Sequence, residues 1–140
     1  MTEITRSIEI SAPAEKVWSC IDPTNWTKIF NSVKEVDGVV NGEVEVGNQF
    51  KVVAGIDELT TVRYNIEVTE YSKNKKIVYR RFGGPLSGKG VIHLKSLQNG
   101  TLLVRTNGYD DDLSEPTKNA LSEGMEKDND RIKEMVEAMK

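Results

Sequence analysis

Residues 8–30, IEISAPAEKVWSCIDPTNWTKIF, contain the end of a strand, a proline-led helix and the start of a second helix in close succession. The strand extends back through residues 4–10, where Ile4, Ile8 and Ile10 alternate with polar side chains. This period of two predicts a strand with one solvated face. Because helices follow the strand at once, the chain opens as a mixed α and β domain.

The two predicted helices are marked by residues at their ends. Pro13 suits the first turn of a helix, where its missing N–H costs nothing, and Glu15 favours the positive helix start. Asp22-Pro23 ends this first helix. In the next residues, NWTKIF, Trp26 and Phe30 are i, i+4 neighbours, which indicates a second, shorter helix.

Between residues 33 and 110 the pattern changes to strands and turns. The clearest strand is TVRYNIEVTEY, residues 61–71, in which apolar and polar residues alternate. Asn41-Gly42 is a favoured hairpin dipeptide and predicts a turn between two further strands. KIVYRRF, GKGVIHLKSL and TLLVRTNGY supply three more strands, at residues 76–82, 88–97 and 101–109. One early strand and about six later ones, joined by short turns, are typical of an antiparallel sheet.

The last segment is predicted to be one long amphipathic helix. Ser114 can cap it, and Glu115 and Pro116 suit its first turn. Apolar side chains then recur at steps close to 3.6 residues, while most charged residues fall on the other side. The apolar positions are Leu121, Met125, Ile132, Met135, Val136 and Met139. Such a helix needs a surface to pack against, and the sheet is the obvious one.

Composition narrows the range of partners. The chain carries 19 basic and 22 acidic residues, for a formal net charge of −3. It therefore lacks the basic footprint of a duplex-binding protein, and no nucleic-acid partner is predicted. No run approaches the roughly 20 apolar residues of a membrane helix, and residues 1–10 show no signal-peptide pattern. We expect a single domain covering residues 1–140 and a cytoplasmic location.

The stretch GGPLSGKG, residues 83–90, has the spacing of the phosphate-binding loop G-x-x-x-x-G-K-[ST]. Its last position is glycine, however, where the motif requires the Ser or Thr that binds magnesium. An alternating strand follows it, whereas the motif needs a helix. The nucleotide interpretation therefore fails. Gly88 and Gly90 instead lie on one face of a strand, where they allow a sharp bend or leave empty space over the concave surface.

Metal and nucleophile sites find little support. One cysteine and one histidine do not make a zinc site, and Asp110-Asp111-Asp112 lacks the alternating carboxylates and the glycine of a calcium loop. Cys20 shares a helix face with apolar neighbours and is predicted to be a small core residue. His93 has the strand parity of two lysines, which predicts a surface position. No metal or other cofactor is predicted.

The order of elements resembles that of the START/Bet v 1-like (SRPBCC) superfamily, in particular its polyketide cyclase/dehydrase and lipid-transport branch. The resemblance is carried by residues 8–30, by EVTEYSKNKKIVYR at 67–80 and by NGTLLVRT at 99–106. It implies an α+β helix-grip fold. In that fold a curved antiparallel sheet of about seven strands wraps around the long C-terminal helix, and two short helices follow the first strand.

The resemblance also implies a cavity between the sheet and the C-terminal helix. Such a cavity would hold a small hydrophobic molecule, for example a lipid, an isoprenoid or a polyketide, and Gly88 and Gly90 would leave room inside it. The other wall residues are predicted from apolar parity and from the position of the family's cavity. The full predicted wall is Trp26, Phe30, Phe50, Tyr64, Ile66, Tyr79, Phe82, Gly88, Gly90, Ile92, Leu121 and Met125.

Arg105 is the candidate polar group of this cavity. Leu102, Leu103 and Val104 are all apolar and hide the parity of their strand, so both orientations stay open. If Leu103 faces inward, Arg105 does too. A buried guanidinium would then need an anionic ligand or a carboxylate partner.

The sequence also allows two function classes other than non-catalytic ligand binding. A cyclase or aromatase would use polar side chains that converge inside the cavity, and no catalytic residue is assigned for it here. The polar side chains available are Tyr64, Tyr79, Arg80, Arg81, His93 and Arg105. A partner-binding module, similar to the chaperone-activating branch of the superfamily, would instead combine a filled core with a large exposed apolar patch.

Overall fold

The computed structural model of the protein describes residues 1–30, 33–38, 45–55 and 61–139. The strands are β1 (Thr2–Ile10), β2 (Val33–Asp37), β3 (Gln49–Gly55), β4 (Thr61–Ser72), β5 (Lys76–Phe82), β6 (Gly88–Leu97) and β7 (Gly100–Tyr109). The helices are α1 (Ala14–Ile21), α2 (Trp26–Ile29) and α3 (Glu115–Glu137), with a 3₁₀ turn at Pro23–Asn25. The strands form one antiparallel sheet in the order β1-β7-β6-β5-β4-β3-β2. The predicted helix-grip architecture is confirmed, whereas the Asn41-Gly42 turn lies outside the described residues.

The inner face of the sheet, towards the helices, follows from the strand alternation. Along β6 the buried positions are Gly88, Gly90, Ile92 and Leu94, so a strand and not a helix continues the glycine-rich stretch. On β7 the buried positions include Leu103 and Arg105. The orientation that the apolar run at 102–104 left open is thereby resolved: Arg105 faces inward.

The two short helices close one end of the core. Pro13 holds extended backbone at the N-cap of α1, and the residues that α1 buries include Trp18 and Cys20. Cys20 is the small core residue that its helix position predicts. The indole Nε1 of Trp26 donates to the backbone oxygen of Ile21 at 3.0 Å, which fixes α2 against the end of α1.

Helix α3 lies along one side of the sheet. Its first turn is capped by Ser114, whose side chain accepts from the Thr117 backbone N–H. Its buried stripe consists of Met125, Asn129, Ile132 and Val136, whereas Met139 lies beyond the helix and is exposed, unlike the predicted apolar stripe. The backbone of α3 approaches β1 and α1 most closely and stands farther from the central strands.

Gly124 gives a test of how α3 is packed. A Cβ at this position would meet no atom within 4 Å, and glycine inside a helix costs about 0.5–1 kcal/mol relative to alanine. We expect Gly124→Ala to raise the free energy of unfolding by about that amount. Urea denaturation of the two proteins measures it, and a loss of stability would show that α3 packs more tightly at this point than the structure has it.

Candidate functional site

An aromatic cluster fills the inner side of the sheet beneath α2. The ring centroid of Trp26 lies 5.6 Å from that of Phe30, 5.5 Å from Phe50 and 5.3 Å from Tyr79. Tilted and edge-on ring pairs at such distances contribute about 0.5–1.5 kcal/mol each beyond their buried area. Trp26 is 2% exposed. We call these four residues the aromatic cluster.

The structure divides the predicted wall residues into three groups. Ile66 and Ile92 join the aromatic cluster in the main core, and half-buried Tyr64 packs against it. Leu121 and Met125 belong to a smaller cluster with Ile4 and Tyr109. Phe82 lies on the opposite face of β5 from Tyr79, and its ring centroid is 4.2 Å from the guanidinium carbon of Arg80.

The two predicted wall glycines permit close approaches. A Cβ at Gly90 would lie 2.2 Å from Cζ of Tyr79, so the Tyr79 ring occupies the space above Gly90. A Cβ at Gly88 would lie 2.0 Å from the backbone oxygen of Gly108 on the neighbouring strand. The expected empty space is therefore corrected: a tyrosine ring fills it at Gly90, and the backbone of β7 crowds it at Gly88.

Arg105 lies between β7 and α3 and is 6% exposed. Its Nη1 donates to Oδ1 of Asn129 at 3.1 Å and to the backbone oxygen of Met125 at 3.4 Å. Asp128, whose carboxylate is 4.0 Å from Nη1, is farther than the roughly 2.7–2.9 Å of a charge-assisted hydrogen bond. Burial lowers the pKa of Arg105, while Tyr79, Asp128 and Tyr109 act in the opposite direction. The hydrogen bonds of the cation thus go to two neutral oxygens, and Asp128 supplies an ion-pair partner at a longer distance.

The aromatic cluster contacts Arg105 directly. The guanidinium carbon of Arg105 lies 4.5 Å from the ring centroid of Phe30, a cation–π distance. One flat face of the guanidinium is therefore covered by an aromatic ring, while the N–H groups at its edge stay free to bond in the plane.

A second buried arginine, Arg81, supports the turn between β5 and β6. Its Nε donates to the backbone oxygen of Leu86 at 2.9 Å, and its Nη2 donates to that of Gly108 at 2.6 Å. Leu86 has a φ of 62°, a left-handed conformation that is rare for a bulky residue. The Arg81 bonds hold this turn beside Tyr109, whose ring centroid is 4.8 Å from the guanidinium carbon.

Two further titratable groups, His93 and Tyr64, have shifted pKa values. His93 lies on the outer face of β6, where burial, Lys95 and Lys76 lower its pKa. Burial raises the pKa of Tyr64, so its hydroxyl stays protonated near neutral pH and can only act as a neutral donor or acceptor there. Within the described ranges, no three His, Cys, Asp or Glu residues are placed to hold a metal ion.

A pocket of about 420 Å³ lies at the other edge of the sheet, over β2, β3 and β4. Its lining includes the charged side chains of Glu35, Asp37, Lys51 and Arg63. Strand alternation places Lys51 and Arg63 on the face opposite the aromatic cluster. Of the predicted wall, only Tyr64 borders this pocket, so it is not the predicted apolar cavity.

Residues 1–138 match the family model described as polyketide cyclase / dehydrase and lipid transport. The chain belongs to this polyketide cyclase/dehydrase and lipid-transport family. Solved structures of the START/Bet v 1 (SRPBCC) superfamily share its fold. They include the Zhui aromatase/cyclase from Streptomyces sp. R1128, with a TM-score of 0.76 and 13% identity, covering 97% of this chain and 93% of that one.

Two further structures have the same fold as this family member. A START superfamily protein from Mycobacterium smegmatis has a TM-score of 0.77 and 17% identity, covering 96% of this chain and 97% of that one. The protein TTHA0849 from Thermus thermophilus has a TM-score of 0.78 and 18% identity, with coverages of 96% and 97%. No curated protein sequence matches significantly. Among the helices in the described part of the chain, none has the length and apolar character needed to cross a bilayer.

In this member of the polyketide cyclase/dehydrase and lipid-transport family, sequence reasoning left Tyr109 and Asn129 out of the site. It named Arg81 only among the polar side chains available to a cyclase. Arg81 had a usable signal, because it shares the parity of Tyr79 on β5 and Tyr79 was predicted to face inward. Asn129 is the one polar residue in the buried stripe of α3. Tyr109 ends β7, whose parity the sequence hides.

Proposed function

We propose that the chain binds a small hydrophobic ligand, of lipid, isoprenoid or polyketide type, between the central strands and α3. The observation that carries the proposal is that α3 approaches β1 and α1 rather than the central strands. Aromatic side chains, and not helix backbone, therefore cover the inner face of β3 to β6. A ligand enters by displacing these side chains, which are separate, rotatable groups.

The composition of this interior supports an apolar ligand. The aromatic cluster, Ile66 and Ile92 present mostly hydrocarbon surface, and ligand sites of this kind are typically apolar with a few placed polar groups. Leu86, Leu113 and Leu121 are half-buried around Tyr109 and Met125, and they add apolar surface beside the β5–β6 turn. The family description, which includes lipid transport, agrees with this.

Ligand binding is tested with Trp26 as the reporter. The chain has two tryptophans, so Trp18→Phe leaves Trp26 as the only one. We expect native mass spectrometry of freshly purified protein to show a co-purified apolar molecule. We also expect apolar ligands to raise the melting temperature and to change the Trp26 fluorescence. Failure of a broad apolar panel in all three measurements would contradict the proposal.

A cyclase-type reaction is a second candidate, because polar side chains do converge inside. Asn129 and Arg105 lie within hydrogen-bond reach of each other, and an arginine can polarise a ketone oxygen. Incubation with a poly-β-ketone thioester mimic, followed by mass spectrometry for loss of water, tests it. Binding of the mimic without conversion would contradict the cyclase reaction and would still agree with ligand binding.

The partner-binding alternative receives less support. The large apolar residues that are exposed in the described part of the chain, Met1, Val46, Leu97 and Met139, come from four separate segments. Single exposed apolar residues are normal on a protein surface and do not by themselves indicate the contiguous apolar patch that this function needs.

A further inference from the structure

The donors of Arg105 are incompletely used. Both hydrogen bonds that it makes to described residues start at Nη1. Nε and Nη2 remain, and they are the two parallel N–H groups of the guanidinium that match the two oxygens of a carboxylate. The stacking on Phe30 covers a face of the group and leaves this edge available.

The Tyr79 hydroxyl points towards the same region. Gly90 pairs with Tyr79 on one side and with Asn107 on the other, so a Tyr79 ring that crosses Gly90 is directed at β7. Arg105 is the next inward residue of β7 after Asn107, and Tyr79 is one of the groups that act electrostatically on Arg105. No hydrogen bond from the Tyr79 hydroxyl to any described residue exists, although Tyr79 is 7% exposed.

These unused groups border a space that admits water. In the described part of the chain, every side-chain nitrogen or oxygen that is fully shut off from solvent has a hydrogen-bond partner. Nε and Nη2 of Arg105 and the Tyr79 hydroxyl have none, so they are not fully shut off. A buried cation whose unused donors are not fully shut off from water is the arrangement expected of an anion-binding group and not of a completed core.

We infer that Arg105 and Tyr79 bind the carboxylate head group of an amphipathic ligand whose hydrocarbon body lies among the aromatic cluster. This inference rests on the proposed function and names its ligand class. The carboxylate accepts from Nε and Nη2 of Arg105 and from the Tyr79 hydroxyl. Its single negative charge adds to the compensation that Asp128 gives the cation from 4.0 Å without a close hydrogen bond.

A carboxylate is preferred to a phosphate monoester on charge. A phosphate monoester carries about −1.5 to −2 at neutral pH, and it would leave excess negative charge in this buried space. Arg6, the cross-strand partner of Arg105 on β1, is paired with Glu126 at 3.6 Å, and Arg81 already donates to Leu86, Asn107 and Gly108. Of these three arginines, Arg105 is the one that keeps unused N–H donors and no closely bonded carboxylate among the described residues.

The experiment compares ligands that share one hydrocarbon chain and differ in the head group. Dodecanoate, dodecanol and dodecyl phosphate are titrated, below their micelle concentrations, into the full chain carrying a displaceable fluorescent probe. We expect dodecanoate to bind about tenfold more tightly than dodecanol, a difference of about 1.4 kcal/mol, because hydrogen bonds between charged groups are stronger than those to a neutral hydroxyl. Arg105→Gln should abolish this preference by lowering dodecanoate affinity much more than dodecanol affinity. Tyr79→Phe, which removes only a hydroxyl, should reduce it about threefold.

The matched control is Arg80→Gln, which removes an exposed arginine on the outer face of the same sheet and should keep the full preference. If Arg105 served only to hold α3 in place, its replacement would lower the melting temperature of the ligand-free protein and weaken the binding of both ligands equally, which would overturn the inference.

Equal binding of dodecanoate and dodecanol by the unaltered chain would also overturn the inference and leave the proposed function intact. Tighter binding of dodecyl phosphate would overturn the choice of carboxylate. Failure of all three ligands would count against the proposed function itself.

Discussion

Trp26→Ala is expected to lower the free energy of unfolding by about 3–5 kcal/mol, the range for truncating a large aromatic residue in a core. Three other rings surround the indole at centroid distances of 5.3 to 5.6 Å, and its Nε1 donates to the backbone oxygen of Ile21. The substitution removes all of these contacts and leaves a cavity. Urea denaturation followed by circular dichroism measures the change, since the variant loses the main fluorescent reporter.

Phe82→Ala is the matched control for this prediction. Phe82 is an aromatic residue of the same sheet, but it is only partly buried and stacks against Arg80 on the outer face, so its loss should cost less than about 1.5 kcal/mol. If the Trp26 cavity persists, added indole should fill it and restore part of the melting temperature of Trp26→Ala. A cost for Trp26→Ala no larger than that for Phe82→Ala would mean that the aromatic cluster is loosely packed.

The fold could be predicted because its signals are local. Pro13 and Asp22-Pro23 bracket α1, Ser114 marks the start of α3, and the alternation in residues 61–71 fixes which side of β4 faces the core. Each of these depends on residues within a few positions of one another. The antiparallel order then follows from short turns that leave neighbouring strands few other partners.

Which side chains of β7 point towards the core could not be predicted from the residues of that strand. β7 lies inside the sheet between β1 and β6, and both of its faces carry apolar side chains: Leu103 is inward, while Leu102 and Val104 are half-buried on the other face. A strand that is apolar on both faces has no period of two. The direction of Arg105 is therefore a property of the assembled sheet.

Which side chain fills a given part of the interior depends on the pairing register of neighbouring strands, and a single sequence does not give that register. That the Tyr79 ring lies over Gly90 follows from the pairing of these two residues across β5 and β6. A shift of one residue would place Arg80 or Val78 opposite Gly90 and turn Tyr79 to the outer face. The sequence indicates that a side chain is missing at position 90, but not which neighbour uses the space.

Gly90→Ala is expected to lower the free energy of unfolding by about 1–3 kcal/mol, the usual cost of an overpacked core position. The new methyl group would lie 2.2 Å from Cζ and 2.4 Å from the hydroxyl oxygen of Tyr79, so the ring must leave its place. The variant should lose stability in urea denaturation. It should also lose the preference for dodecanoate over dodecanol, because the hydroxyl moves with the ring.

A double-mutant cycle distinguishes the effect of the Tyr79 ring on stability from the effect of Gly90 alone. In a Tyr79→Leu background the shorter side chain does not extend across β6, so Gly90→Ala should cost at least about 1 kcal/mol less than it does beside tyrosine, a coupling typical of residues in contact. Gly90→Leu would overfill the site in either background and is the less informative change. If Gly90→Ala costs the same with tyrosine or leucine at position 79, then the glycine serves only the bend of β6. In that case the position of the Tyr79 hydroxyl does not depend on Gly90, and Tyr79→Phe alone remains to test its part in binding a head group.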